Sequence, residues 1–178
     1  MKILTFAASN SKQSINASLA TYAANLIPNT TVQTLNIHDY ELPIFSIERE
    51  REIGQPKLAL AFRKKIGEAD ALVVSFAEHN GNLTAAYKNL FDWASRIDPK
   101  VYQRKPAVFL STSPGKGGAG NVLANVVQSA PYFGADLKAN LSIPSFNENF
   151  SVDQNKMTNA RLGKDLLEAV LLLARAED

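Results

Sequence analysis

Residues 2–27 read KILTFAASNSKQSINASLATYAANLI, and the period of their apolar residues changes partway along. Ile3, Leu4, Phe6, Ala7 and Ala8 form a short apolar run of the kind buried on both faces of a parallel sheet. Ile15, Leu19, Tyr22, Ala23 and Leu26 then recur at helical spacing. A strand therefore passes into a helix through one short loop, Ser9-Asn10-Ser11-Lys12-Gln13-Ser14. That loop has no acidic residue, is dense in hydroxyls and opens onto a helix N-terminus, where free backbone N–H groups and the helix dipole favour an anion. Two readings fit it: a phosphate cradle, and a capped turn, because Ser and Asn are also favoured N-cap residues.

The alternation repeats downstream. Residues 31–37 read as a second strand whose mixed polarity (Thr31, Gln33, Thr34, Asn36) suits a sheet edge. Residues 38–53 form a long connection in which Pro43 prevents a simple helix. Its apolar anchor, Leu42-Pro43-Ile44-Phe45, followed by a charged patch, fits a lid or contact surface. Pro56 opens a helix with an expected buried stripe of Leu58, Phe62, Ile66 and Ala69. Residues 71–76, ALVVSF, are the most uniformly apolar strand and hence central. A polar loop, Ala77-Glu78-His79-Asn80-Gly81-Asn82, leads into a helix to about Arg96 with Leu83, Tyr87, Leu90 and Ala94 on one face. Residues 107–111 make a fourth strand, and the glycine-rich segment 112–120 follows it. A helix carrying Val122, Leu123, Val126, Val127 and Ala130 comes next, then a fifth strand over 135–143 and a last helix from about Lys156 to Ala176.

Strands alternating with helices five times predict one doubly wound α/β domain spanning residues 1–178. Right-handed crossovers give a flavodoxin-like three-layer sandwich, with a five-stranded parallel sheet in the order 2-1-3-4-5. The loops after strands 1, 3 and 4 then meet at the carboxyl edge of the sheet, around the switch point. They are the three loops rich in Ser, Asn and Gly, so their convergence predicts a ligand site.

Composition removes several classes of function. A net charge of +2 over 178 residues is too weak a bias for a nucleic-acid or acidic-membrane partner. The absence of cysteine excludes disulfides and thiolate chemistry. No signal-peptide pattern and no apolar run of about 20 residues is present, so a soluble cytoplasmic domain is expected. The segment Gly115-Lys116-Gly117-Gly118-Ala119-Gly120 matches G-x-G-x-x-G, but only one further strand follows it and Asp136 opens that strand rather than ending it. A dinucleotide fingerprint is therefore rejected, and the glycines are read as allowing close backbone approach to a flat ligand. Lys116 is not followed by Ser or Thr, so a nucleotide P-loop fails as well. His38 and His79 have no partner at metal-ligand spacing, which argues against a metal site. Ser14 and Ser113 lack the nucleophile-elbow pattern, and Tyr87, Phe91 and Trp93 read as core or interface. No side chain stands out as catalytic, so the chemistry has to reside in a bound cofactor.

Three segments carry a family resemblance. Ala8-Ser9-Asn10-Ser11-Lys12-Gln13-Ser14-Ile15-Asn16 is similar to G-S-x-R-x-x-S-x-N. Ala77-Glu78-His79-Asn80-Gly81-Asn82, then Tyr87-Lys88-Asn89-Leu90-Phe91-Asp92-Trp93, is similar to P-E-Y-N-G-S followed by L-K-N-x-x-D-W. Residues 111–118 are similar to the S-x-S-x-G-x-x-G part of S-x-S-x-G-x-x-G-G. The chain thus resembles the NADPH-dependent FMN reductases, which include quinone, chromate and azo-dye reductases. The resemblance implies FMN as cofactor, NAD(P)H as co-substrate, a small-molecule electron acceptor, and a homodimer or homotetramer. It implies phosphate contacts from Ser9, Ser11, Ser14, Ile15 and Asn16, and a ring bordered by Ala77, Glu78, His79, Asn80 and Gly81 on one side and by Ser111, Gly115 and Gly118 on the other. The departures are Ser11 at the place of the family's Arg, with Lys12 the nearest cation, His79 at its Tyr and Ala77 at its Pro. A one-electron flavodoxin and a non-catalytic flavin-binding sensor are the alternatives on the same fold.

Overall fold

In the computed structural model, which describes residues 1–174, the apolar runs become strands and the 3.6-residue periods become helices. In chain order the elements are β1 (Lys2–Ala8), α1 (Ile15–Asn25), β2 (Thr31–Leu35), a 3₁₀ turn (Ile37–Tyr40), α2 (Ile47–Ile53) and α3 (Lys57–Gly67). They continue with β3 (Ala71–Phe76), β4 (Glu78–His79), β5 (Asn82–Leu83), α4 (Ala85–Ile97), β6 (Pro106–Thr112), α5 (Gly120–Ser129) and β7 (Asp136–Ile143). The chain closes with α6 (Phe146–Asn149), β8 (Phe150–Ser151), β9 (Lys156–Met157) and α7 (Ala160–Leu171).

The main sheet runs β2-β1-β3-β6-β7, every neighbouring pair parallel. Counting only its own strands, this is the expected order 2-1-3-4-5. Side chains alternate across each strand and divide the core in two. Ile3, Val73, Val108 and Leu110 pack with Leu19 and Ala23 of α1 and Leu166 and Val170 of α7. Leu4, Phe6, Leu72, Val74, Phe76 and Phe109 face α3, α4 and α5 through Phe62, Ile66, Tyr87, Leu90, Val122 and Val126. Strand β3 is buried along its whole length, whereas β2 and β7 are edges with exposed positions.

Four local expectations differ from the structure. The stripe of α3 is Ala59, Phe62 and Ile66, while Leu58 stays exposed, because the helix presents residue 59 rather than 58 to the sheet. The segment after β3 is a hairpin rather than a plain loop, and Leu83 belongs to it rather than to α4. Asn80 and Gly81 both have positive φ, 52° and 76°, which is what a tight two-residue hairpin connection requires. The connection 38–53 folds into the 3₁₀ turn and α2, which Ser46 caps by accepting from Arg49 N–H. Finally, residues 150–157 form a second small hairpin, so the last helix starts at Ala160, where Asn159 accepts from Leu162 N–H. That helix ends at Leu171, and the expected continuation at 175–176 lies outside the described residues.

Candidate functional site

The first loop is shaped by its own hydroxyls. Ser9 Oγ accepts from Ser11 N–H at 3.2 Å, and Ser11 Oγ accepts from Gln13 N–H at 3.3 Å. Ser14 is the N-cap of α1, its Oγ accepting from Ala17 N–H at 3.3 Å. Among the described residues, the N–H groups of Lys12, Ser14, Ile15 and Asn16 donate to no protein acceptor. Four unpaired donors at the start of an eleven-residue helix, with no carboxylate in the loop, make a donor set suited to a phosphate. The capped turn is therefore compatible with the expected cradle: the cap aligns the helix and leaves these N–H groups without a protein acceptor.

Asn16 has another job. Its side chain is buried, with Oδ1 accepting from Ser75 Oγ at 2.7 Å and Thr112 N–H at 3.1 Å, and Nδ2 donating to Thr112 C=O at 3.1 Å. One amide thus ties the first turn of α1 to the ends of β3 and β6. Thr84, the N-cap of α4, donates its hydroxyl to Ala8 C=O at 3.0 Å and accepts from Tyr87 N–H. Glu78 lies on the second segment, and its Oε2 accepts from Val122 N–H at 2.8 Å in the first turn of α5. A carboxylate at a helix N-terminus is a favourable tie, so Glu78 links the hairpin to α5 rather than standing free as a base. Ala77 is buried beside it, while His79, Asn80 and Gly81 are exposed on the hairpin.

The third segment is held from two strands. Ser111 Oγ and Ser142 Oγ each donate to Gly118 C=O at 2.8 Å, and Thr112 Oγ1 donates to Ile143 C=O at 2.7 Å. Gly118 has φ of 57°, and a Cβ there would run into Ser142 Oγ and crowd Pro144 N and Ile143 C at 3.0 and 3.1 Å. The close approach of this glycine is therefore to the end of β7 and the residue after it. Gly115 and Gly117 face open space by comparison and remain available to a ligand.

The structure thus brings Ser9, Ser11, Ser14, Ile15 and Asn16 together with Ala77, Glu78, Ser111 and Gly118 at the carboxyl edge, bridged by Asn16, Thr84 and the Glu78 carboxylate. Sequence reasoning missed Ser75, Thr84 and Ser142, which organise the loops. Only Thr84 had a signal, a Thr placed just before a helical period. It also missed the use of Asn89 and Trp93. Asn89 accepts from Phe45 N–H and donates to Leu42 and Pro43 carbonyls, and Trp93 Nε1 donates to Pro43 C=O at 2.8 Å. The two side chains, one turn apart on α4, strap residues 42–45 beside the site. A cleft of about 250 Å³ opens there, walled by Asn10, Tyr40, Leu42, Ile44, Ala86 and Asn89. Burial, with the Asp39 carboxylate adding to it, raises the Tyr40 hydroxyl above its ordinary value, so it stays neutral in the cleft. No group of three His, Asp or Glu residues that would hold a metal ion occurs among the described residues.

A family model described as NADPH-dependent FMN reductase matches residues 1–147. An NADPH:quinone oxidoreductase of Arabidopsis thaliana is 33% identical over 122 residues, covering 66% of this chain and 61% of that protein. An NAD(P)H-dependent FMN reductase of Pseudomonas aeruginosa is 30% identical over 119 residues, covering 66% of this chain and 63% of that protein. The matched part thus spans somewhat under two thirds of these curated relatives. Among solved structures, FerB, a flavoenzyme NAD(P)H:(acceptor) oxidoreductase of Paracoccus denitrificans, superposes with a TM-score of 0.79 at 24% identity, over 97% of this chain and 95% of that one.

Proposed function

Since the chain belongs to the NADPH-dependent FMN reductase family, we propose that it is an FMN-dependent NAD(P)H oxidoreductase whose second substrate is a quinone. The observation that carries this reading is the set of unpaired N–H groups at the start of α1, which Asn16 ties to the ends of β3 and β6, beside a hairpin that Glu78 ties to α5. Lys12, Ser14, Ile15 and Asn16 would hold the FMN phosphate through backbone N–H groups, with Ser9 and Ser11 shaping the turn. Ala77 to Gly81 and Ser111 to Gly118 would flank the ring. When bound, FMN supplies two-electron hydride chemistry, which no side chain here provides. The chain's part is orientation: the Gly118 packing fixes one wall, and the hairpin with its exposed His79 forms the rim. His79 is proposed to influence the choice of acceptor through that position.

The names of the Arabidopsis and Pseudomonas relatives support quinone and flavin as acceptors. A homo-oligomer is proposed as well: α2 buries none of its residues within the chain, and Ile44 and Ile47 are 77% and 53% exposed. No helix among the described residues is long and apolar enough to cross a membrane, and the working location proposed is the cytoplasm. The test is a steady-state assay of FMN-loaded protein with NADH or NADPH and a benzoquinone. Expected are ping-pong kinetics and bleaching of the flavin absorbance by the nicotinamide alone, restored by the quinone. A bound flavin that neither nicotinamide bleaches would overturn the enzyme reading in favour of a sensor or one-electron carrier.

A further inference from the structure

The tip of the β4–β5 hairpin carries chemistry that needs no cofactor. Of the chain's asparagines, only Asn80 is followed by glycine. Both residues are exposed, and neither the Asn80 side-chain amide nor the Gly81 N–H has a hydrogen-bond partner among the described residues. A Cβ on Gly81 would meet nothing within 4 Å, so nothing shields its nitrogen. We infer that Asn80 is a self-modification site: it deamidates through attack by the Gly81 nitrogen, and the isoaspartate formed loosens the hairpin's hold on FMN. The modification stands apart from the FMN reading above, and only its consequence for binding rests on that reading.

The Gly81 backbone nitrogen, once it has given its proton to water or hydroxide, forms a bond to Asn80 Cγ. The Cγ–Nδ2 bond breaks, ammonia leaves, and a five-membered succinimide remains. Water then opens that ring at one of its two carbonyls. Opening at Cγ gives aspartate, and opening at the Asn80 backbone carbonyl gives isoaspartate, with the main chain rerouted through Cγ. One water is consumed and one ammonia released, with no change of oxidation state. Glycine makes the attack easiest, because it puts no side chain beside the nitrogen. In the folded turn φ is 52° at Asn80 and 76° at Gly81, and the ring closes only after the peptide between them rotates. The turn therefore has to open, and little holds it. The two strands share only two register pairs, Glu78 with Leu83 and His79 with Asn82. A ribbon of that length is marginal by itself, and exposed tips open most readily. Glu78, accepting from Val122 N–H, and Thr84, donating to Ala8 C=O, pin the base of the hairpin and confine the opening to its tip. Isoaspartate adds one carbon to the main chain, which breaks the register a two-residue turn sets, and its carboxylate puts a negative charge on the rim.

The experiment ages the flavin-free full chain in warm, mildly alkaline buffer, folded and, in parallel, unfolded in urea. The tryptic peptide of residues 66–88 then carries Asn80 together with Asn82, whose neighbour is leucine, as an internal control. Expected in the folded chain are isoaspartate in excess over aspartate at position 80, ammonia released one for one, and an unchanged Asn82. Gly81→Ala is expected to slow the conversion at least about tenfold, the equivalent of about 1.4 kcal/mol of barrier. Because that variant is strained at a positive φ, it is compared with wild type in urea as well. The deamidated chain, isolated by its extra negative charge, is expected to bind FMN about tenfold more weakly than the fresh chain. A position 80 that stays asparagine in the folded chain while the unfolded one converts overturns the inference. Aspartate without isoaspartate, or a Gly81→Ala rate equal to wild type in urea, overturns it as well. Equal FMN affinity of the fresh and deamidated chains overturns the loosened hold. A fresh chain that binds no flavin overturns the FMN reading and the loosened hold with it, while the peptide map still decides the modification.

Discussion

Asn16 shows how a residue of a binding loop works through the fold. Its carbonyl oxygen accepts two hydrogen bonds, from Ser75 and Thr112, and its Nδ2 donates a third to Thr112 C=O, so the side chain serves the fold while the backbone N–H has no protein acceptor. Asn16→Ala would strand the Ser75 hydroxyl and both backbone groups of Thr112 in a buried site. Each stranded group costs about 1–3 kcal/mol, so a loss of at least about 2–3 kcal/mol is expected. At about 2–4 °C per kcal/mol for a chain of this size, thermal denaturation should show a fall of roughly 5–10 °C. An unchanged midpoint would mean that the tie between α1, β3 and β6 carries no stability. The glycines after β6 allow a paired test. Gly118→Ala puts a methyl against Ser142 and Pro144 at a positive φ, and is expected to destabilise by more than about 1 kcal/mol. Gly117→Ala meets nothing within 4 Å, so it should be neutral or slightly stabilising, by up to about 1 kcal/mol. Equal urea midpoints for the two variants would contradict the packing assigned to Gly118.

Among the elements, α4 does most to place the site, and it does so by gripping a neighbour. Asn89 makes three bonds to residues 42–45, Trp93 adds a fourth, and Phe45 meets the Trp93 ring edge-on at 5.1 Å. Asn89→Ala removes three of these anchors while leaving the Tyr87 and Leu90 face of the helix in the core. Limited proteolysis should then cut within residues 41–55 much faster than in wild type, with a midpoint shift of only about 1–2 kcal/mol. Unchanged cleavage there would show that the strap is held by Phe45 and α2 instead. These contacts also show what the sequence could and could not tell. Strand ALVVSF, the apolar run of β1 and the polar edge of β2 were legible because burial on two faces, or on one, leaves a pattern in the residues themselves. The asparagine–glycine turn carried an equally local hairpin signal that the polar composition of residues 77–82 concealed. The grip of Asn89 on Pro43, of Asn16 on Thr112 and of Glu78 on α5 joins residues 44–96 positions apart. No periodicity encodes such pairings.

At the scale of the whole molecule, the strand order β2-β1-β3-β6-β7 makes the site a property of the fold rather than of any one loop. The loops after β1, β3 and β6 leave adjacent strands at the same edge, and their ties reach elements of both core clusters, α1 on one face and α4 and α5 on the other. A ligand seated there contacts parts that must all come apart on unfolding, so its binding free energy adds to the stability of the native state. At a concentration one hundred times its dissociation constant, a ligand that binds only the native state contributes about 2.7 kcal/mol. For a chain of this length that is a rise of about 5–11 °C in the thermal midpoint. Riboflavin lacks the phosphate; if it binds about tenfold more weakly, the same concentration gives about 1.4 kcal/mol and roughly half the shift. The expected outcome of a circular-dichroism melt is therefore a graded series, with FMN above riboflavin and riboflavin above the chain alone. Inorganic phosphate should reduce the FMN shift by competing for the N–H groups of Lys12, Ser14, Ile15 and Asn16. Equal shifts from FMN and riboflavin would place the ligand's grip at the ring and leave the start of α1 as a capped turn. No shift from either flavin would mean that the edge where the loops converge is not a flavin site.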